Sequence, residues 1–203
     1  MRSLLHLGFL ASHNGSNMQA IIDACREGRL RAQPAVVISN NSEAGALARA
    51  RQEGIPTFHL SSRTHPGALD QVICQTLLDH QVQVVCLAGY MKRLGPQTLE
   101  AYRGRVLNIH PALLPRFGGE GFYGEAVHKA VLAAGEKESG PTVHLVDEDY
   151  DHGPVLAQAR IPVLAGDTPQ TLAARVLTQE HRLYAETLQR IVTGEMVLEG
   201  LVL

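Results

Sequence analysis

The sequence has little that would mark a membrane, secreted or nucleic-acid-binding protein. Its 203 residues contain no apolar run that approaches the length of a membrane span. The 18 basic and 20 acidic side chains give a formal net charge of -2, and like charges do not gather in long runs. This composition argues against a nucleic-acid-binding groove and against a polybasic membrane patch.

Cysteine is also scarce. The three cysteines, Cys25, Cys74 and Cys86, are widely spaced among apolar neighbours. An odd number at such spacings fits neither a disulfide framework nor a metal site, so we expect reduced core residues in a cytoplasmic protein. No other group of residues has metal-ligand spacing, and no metal cofactor is expected.

The amino terminus, residues 1–10, combines a basic residue with a short apolar stretch, as a signal peptide would. However, His6 and Gly8 interrupt this stretch, and a turn and an amphipathic segment follow it in place of a small-residue cleavage site. We therefore expect a buried first strand.

The rest of the chain predicts an α/β fold. An apolar content of 45% over 203 residues is enough for one substantial core, so we expect a single domain over residues 1–203. Apolar runs of strand length alternate with segments of helical period. Strands are expected over 4–10, 34–38, 56–60, 82–88 and 104–110, and helices around 18–25, 43–53 and 69–77. Such units predict an open, mostly parallel, twisted Rossmann-like sheet with helices on both faces.

The pattern changes after residue 111. Residues 117–124, called the Gly-rich loop below, have four glycines in eight positions, which predicts a mobile loop or lid. The elements expected next are a helix over 126–134, strands over 142–146 and 154–163, and a long helix from Thr168 to about Val192. Because the connection between the last two strands is short, they predict an antiparallel C-terminal extension of the sheet.

Two polar side chains stand at the end of the fifth predicted strand. Asn108 and His110 are two residues apart and so point to the same side, and Pro111 ends the strand just after them. Open α/β sheets bind their ligands at this carboxyl edge. An amide donor beside an imidazole suits a carbonyl-centred reaction, although a capped strand end with a satisfied histidine has the same pattern.

The turn after the first strand leads directly into a helix. Its residues Gly15, Ser16 and Asn17 could present backbone N–H groups and the positive end of the helix dipole to an anion. Ser and Asn are also common helix caps, so a purely structural turn has the same sequence.

Three further polar residues have two interpretations each. Asp151 lies in an Asp-His-Gly-Pro turn, where it could simply form the turn. Glu180 falls on the apolar stripe of the last helix, so it either pairs with Arg175 or His181 or lines a ligand cleft. His144 alternates with apolar neighbours, and we interpret it as a partly buried strand histidine and not as a catalytic residue.

Together these segments resemble the formyltransferases that use 10-formyltetrahydrofolate, in particular the branch that formylates glycinamide ribonucleotide in purine synthesis. The resemblance covers nearly the whole chain. Its most specific segments are residues 87–91 (LAGYM), 107–111 (LNIHP), 113–115 (LLP), 142–144 (TVH), 151–154 (DHGP) and 178–181 (TQEH).

The resemblance implies direct acyl transfer from 10-formyltetrahydrofolate, the co-substrate, to the ribonucleotide amine. It assigns catalysis to Asn108, His110 and Asp151. The residues it implies for the ribonucleotide are Gly15, Ser16 and Asn17 at the phosphate and Glu180 at the sugar. Those it implies for the folate are Met91, Lys92, Leu94 and the segment from Val146 to Asp151. Two features depart from the family's usual pattern: His13 stands where the phosphate turn usually has glycine, and the loop after Pro115 is glycine-rich and several residues longer than in the most familiar members.

The resemblance implies small-molecule partners and neither nucleic acid nor membrane, and it leaves the choice between monomer and homodimer open. Methionyl-tRNA formyltransferase and formyltetrahydrofolate deformylase share much of the catalytic pattern. They normally carry an additional domain, for which we expect no room in this chain. A nucleotide-binding module without catalysis is the alternative from another functional class.

Overall fold

A computed structural model describes residues 4–148 and 151–201 of the chain. The strands are β1 (Leu5–Leu10), β2 (Ala32–Ser39), β3 (Thr57–His59), β4 (Val84–Leu87), β5 (Val106–His110), β6 (Glu138–Ser139), β7 (Thr142–Leu145), β8 (Val155–Gln158) and β9 (Ile161–Pro162). The helices are α1 (Ser16–Arg26), α2 (Gly45–Gln52), α3 (Leu69–Asp79), α4 (Pro96–Ala101), α5 (Glu125–Ala133) and α6 (Pro169–Thr193).

Seven strands form one sheet in the order β3-β2-β1-β4-β5-β7-β8. The first five of these pair in parallel, whereas β7 is antiparallel to both β5 and β8. The mostly parallel sheet and its antiparallel extension are therefore confirmed. The order reverses direction beside β1, so the carboxyl ends of β1 and β4 border a crevice of the kind that binds ligands.

Helices cover both faces of the sheet because its central strands are apolar on both sides. In β4, Val84 and Cys86 belong to one core together with α1, α2 and α6. Their neighbours Val85 and Leu87 belong to a second core with α3. This alternation follows the two-residue period of a strand and explains why the central strands read as continuous apolar runs.

Two elements differ from the sequence prediction. The single strand expected over 154–163 is wrong, since β8 ends at Gln158 and β9 pairs with β6 in a separate two-stranded sheet. There Ile161 is buried against α5 and α6. Helix α4 was not expected from periodicity. Its first turn is capped from another helix, α3, where Asp70 accepts hydrogen bonds from the backbone N–H groups of Gln97 (2.8 Å) and Thr98 (3.2 Å).

The three cysteines are unpaired; Cys86 is buried, and Cys25 and Cys74 are half-buried. Burial raises the pKa of Cys86 to about 12 and that of Cys25 to about 11, which keeps both as thiols. Across residues 4–148 and 151–201, no helix is both long and apolar enough to cross a bilayer.

Candidate active site

The carboxyl edge of β5 presents Asn108 and His110 on the same side of the sheet, as their spacing predicts. Antiparallel pairing with β7 places His144 directly opposite Asn108. The structure thus brings His144 into the site: its ring is only 2% exposed, and its Nε2 lies 3.1 Å from Asn108 Nδ2. His144 is a strand histidine, as expected, but it is fully buried and the register of β7 places it against Asn108. The Thr-Val-His segment could have revealed this once it was placed on the neighbouring strand.

Asp151 lies between the two histidines. Its Oδ2 is 3.4 Å from His110 Nδ1, and its Oδ1 is 3.4 Å from His144 Nε2. Its backbone has φ of 56°, a left-handed conformation that Asp tolerates better than most residues. Residues 149 and 150, which belong to the predicted turn and folate segment, lie outside the described residues. Asp151 therefore lies beside both His110 and His144, in addition to forming part of the turn.

The Gly-rich loop passes over Asp151. The backbone N–H of Gly119 donates a hydrogen bond to Asp151 Oδ2 at 3.0 Å. A Cβ at Gly118 would lie 2.4 Å from Leu114 Cδ2 and 3.1 Å from Asp151 Cβ, so a larger residue there would require both neighbours to shift. Gly118 thus favours the close passage of the loop over Asp151.

The hydrogen-bond partners fix where two of the ring protons lie. His110 Nε2 is 2.7 Å from the Phe117 carbonyl oxygen, and His144 Nδ1 is 2.8 Å from the Leu145 carbonyl oxygen. A carbonyl only accepts, so each of these nitrogens carries a hydrogen. In neutral His144, Nε2 then accepts from the Asn108 amide. His110 Nδ1, which faces Asp151, is left as the nitrogen that gains and loses a proton.

Burial and charge act in opposite directions on this group. Burial lowers the pKa of His110, and the nearby Asp151 charge opposes this without reversing it. Burial would raise the pKa of Asp151, but the two neighbouring histidines and the hydrogen bond from the Gly119 backbone N–H bring it below the usual range. Asp151 is thus a carboxylate at neutral pH. The protonation of His110 depends on the charge of the ligand that binds beside it.

The turn before α1 has no side-chain cap. The residue at the cap position is Gly15, with φ of 71°, and it makes no side-chain hydrogen bond to the helix. A Cβ there would lie 2.7 Å from Ala46 Cβ. The interpretation of this turn as a Ser or Asn cap is therefore wrong, and the first N–H groups of α1 remain available to a ligand.

Glu180 is buried and pairs with Asn17 at the start of α1. Its Oε2 accepts a hydrogen bond from Asn17 Nδ2 at 2.6 Å, and only 8% of the residue is exposed. Burial raises the pKa of Glu180, and the Asn17 hydrogen bond partly offsets this. Of the alternatives that the sequence left open, pairing with Arg175 does not occur, because Arg175 binds Asp167 at 2.7 Å. Glu180 instead lines a ligand cleft, the alternative that the sequence left open.

Two adjoining cavities lie at the carboxyl edge of the sheet. The larger cavity, of about 760 Å³, is lined by His13, Asn17, Met91, His110, Glu180 and the Gly-rich loop, among others. The smaller cavity, of about 70 Å³, is lined by Lys92, Leu94 and Val146, among others. Both are bordered by Asn108 and Asp151. A separate groove of about 690 Å³ at the opposite, amino edge of the sheet contains none of the predicted site residues.

Within residues 4–148 and 151–201, no group of three His, Cys, Asp or Glu side chains is placed to hold a metal ion. Asn108, His110 and His144 are instead paired with one another or with backbone carbonyls.

Comparison with known proteins identifies the family. The formyl transferase domain matches residues 5–188. The chain belongs to the formyl transferase family. It is 43% identical over 193 residues to phosphoribosylglycinamide formyltransferase, chloroplastic, of Vigna unguiculata, covering 94% of this chain but only 62% of that relative's length.

Shorter relatives are covered more fully. Phosphoribosylglycinamide formyltransferase of Escherichia coli is 39% identical over 194 residues, which cover 95% of this chain and 89% of the relative. The crystal structure of glycinamide ribonucleotide transformylase 1 from Symbiobacterium toebii has a TM-score of 0.89 at 42% identity, covering 97% of this chain and 92% of that one. The formyl transferase fold is therefore shared across nearly the whole chain.

Proposed function

We propose that this chain transfers the formyl group of 10-formyltetrahydrofolate to the amine of glycinamide ribonucleotide, as a single formyltransferase domain over residues 1–203. The observation that carries the proposal is the cluster of Asn108, His110 and Asp151 where the two cavities adjoin. The names of the relatives support the same acceptor.

The larger cavity takes the ribonucleotide. Its phosphate binds at Gly15, Ser16 and Asn17, where uncapped backbone N–H groups and the positive end of the α1 dipole favour an anion. Glu180, held at 2.6 Å by Asn17, accepts hydrogen bonds from the sugar hydroxyls. The shared Asn17–Glu180 contact links the phosphate and sugar subsites.

The folate approaches from the side of the smaller cavity, which at about 70 Å³ admits only part of the molecule. Lys92, Leu94 and Val146 border this cavity, and Asp151 and Asn108 stand between it and the larger cavity. Met91 lines the larger cavity near this boundary, and its backbone N–H is held by the Ser12 hydroxyl at 2.8 Å. This arrangement supports a bound folate whose formyl group lies beside Asn108 and Asp151 and faces the ribonucleotide amine.

The transfer proceeds directly from one nitrogen to the other. The amine lone pair attacks the formyl carbon, and the carbonyl electrons move onto its oxygen. The carbon–nitrogen bond to the folate then breaks as the oxygen re-forms the carbonyl, and the proton lost by the amine passes to the folate nitrogen. No covalent bond to the enzyme forms.

The side chains support both stages of this reaction. One hydrogen of Asn108 Nδ2 faces His144 at 3.1 Å, which leaves the second to donate to the oxyanion. Protonated His110 donates a second, charged hydrogen bond to the oxyanion from Nδ1. Asp151 Oδ2 lies 3.4 Å from this nitrogen, which is long for a hydrogen bond, so the hydrogen remains available to the oxyanion. Asp151 stabilises the imidazolium and orients a water that carries the proton between the two nitrogens.

The test is a spectroscopic assay of 10-formyltetrahydrofolate consumption with three acceptors compared: glycinamide ribonucleotide, water alone, and charged initiator tRNA. We expect rapid turnover only with the ribonucleotide. Turnover without any added acceptor would show a hydrolase, and turnover that requires the tRNA would show the tRNA-specific enzyme. Tight ribonucleotide binding without any turnover would show a non-catalytic module.

A further inference from the structure

A third histidine faces the larger cavity and has no assigned role. His128 lies in the first turn of α5, borders the cavity and is only 4% exposed. Its Nδ1 is buried and has no hydrogen-bond partner among the described residues. Nearly all buried polar groups in folded proteins are hydrogen-bonded, so this nitrogen needs an explanation, as do Asn17 Oδ1 and Tyr90 Oη, the other unpaired buried atoms that border the cavity.

The ring's orientation and charge determine what it can offer. Nδ1 is inaccessible, so Nε2 is the polar atom available to the cavity. Unpaired buried N–H groups are rarer than unpaired acceptors, which favours the tautomer with its hydrogen on Nε2. Burial lowers the pKa of His128, and the charge of His110 lowers it further, while Glu125 of the same helix opposes both. His128 is therefore a neutral donor at neutral pH.

The position of His128 indicates which part of the substrate it meets. Under the proposed function, Gly15–Asn17 and Glu180 hold the phosphate and sugar of the ribonucleotide, whereas His128 borders the same cavity as His110, whose charge lowers the pKa of His128. The group of glycinamide ribonucleotide that lies next to the reacting amine is the amide carbonyl. A neutral donor also suits a neutral carbonyl better than a phosphate, which would favour a cation.

We propose that His128 donates a hydrogen bond from Nε2 to the glycinamide carbonyl oxygen and so positions the amine for attack. This inference rests on the proposed function, because it names a further contact with the proposed acceptor. In this role His128 is a substrate-binding residue, and its hydrogen bond lets the site distinguish glycinamide ribonucleotide from phosphorylated sugars that lack the amide.

The experiment compares two ligands by titration calorimetry: glycinamide ribonucleotide and ribose 5-phosphate, which has no carbonyl at this position. His128→Leu should weaken ribonucleotide binding by roughly 3- to 10-fold, the loss typical of one neutral hydrogen bond, and change ribose 5-phosphate binding by less than about 2-fold. His128→Gln, whose amide nitrogen lies near the position of Nε2, should restore much of the loss, whereas His128→Asn should not.

His65→Leu is the matched control, because His65 lies in the loop before α3 and contacts Thr64 (2.9 Å) outside both cavities. Equal weakening of the two ligands by His128→Leu, or no weakening of either, would overturn the inference. Should the Leu variant fail to fold, the contrast between the Gln and Asn variants decides in the same way. If the unaltered protein fails to bind glycinamide ribonucleotide at all, the proposed function itself is wrong.

Discussion

Replacing Asn108 by alanine removes one side chain with two separable effects. The amide donates to the oxyanion in the proposed transition state, and it also donates to His144 Nε2 at 3.1 Å in the unliganded protein. The first contact affects turnover and the second affects stability. Measurements of kcat and of thermal unfolding therefore report on different hydrogen bonds of the same group.

The expected loss of turnover is large. Deleting one oxyanion donor typically reduces kcat by about 10²–10³, or ~2.7–4 kcal/mol of transition-state stabilisation. The loss of stability is smaller: the buried His144 nitrogen loses its neutral donor, which costs about 1 kcal/mol and lowers Tm by ~2–4 °C in a chain of this size. His110→Ala should reduce kcat at least as much, because it removes the charged donor.

The matched control for Asn108→Ala is Asn41→Ala. Asn41 lies at the same edge of the sheet, and its Nδ2 contacts the Ser12 carbonyl at 3.4 Å, but it borders neither of the two cavities among the described residues. This variant should keep kcat within about 2-fold. A kcat within a few-fold of the unaltered protein for Asn108→Ala, at full ribonucleotide and folate saturation, would refute the oxyanion role.

Four further results are expected. Gly15→Val should raise the KM for the ribonucleotide far more than the KM for the folate, because a side chain would block backbone approach to the phosphate; equal effects would indicate misfolding. Asp151→Asn should lower the His110 pKa seen by NMR titration and reduce kcat, with a small change in stability; an unchanged or raised pKa would contradict the ion-pair argument. Glu180→Gln should weaken ribonucleotide binding by ~10- to 100-fold in calorimetry, because it removes a charged acceptor, yet leave Tm unchanged or higher, because the buried charge is removed; a lower Tm would count against this. Burial lowers the pKa of His110 and of His128, so the unfolded chain binds more protons below about pH 6.5, and chemical denaturation should show the unfolding free energy falling as pH decreases through that value; a rise would contradict the assignment.

Much of the fold could be predicted because its signals are local. The continuous apolar run of β4, the proline that ends β5 and the Thr168 cap of α6 each act within a few residues. Helix α4 could not be predicted in this way, since its cap comes from Asp70 on another helix. The break between β8 and β9 also escaped, because it depends on where Ile161 packs.

The site residues divide in the same way: some positions follow from local sequence signals, and others depend on contacts between distant segments. Asn108 and His110 could be predicted to share a side of the sheet, since strand geometry alone requires it. The role of His144 depends on the register of β7 against β5, and that of His128 depends on where the first turn of α5 lies against the cavity. The partner of Glu180 lies 163 positions away in sequence, so no helical spacing could have indicated Asn17.

The most direct test of the central claim follows the formyl group itself. The protein is incubated with 10-formyltetrahydrofolate labelled with ¹³C at the formyl carbon and with glycinamide ribonucleotide, and the products are analysed by NMR. We predict that the label appears as the formamide of the ribonucleotide in amounts matching the tetrahydrofolate released, and that Asn108→Ala nearly abolishes it. Label recovered as free formate, or remaining on the folate, would contradict the account.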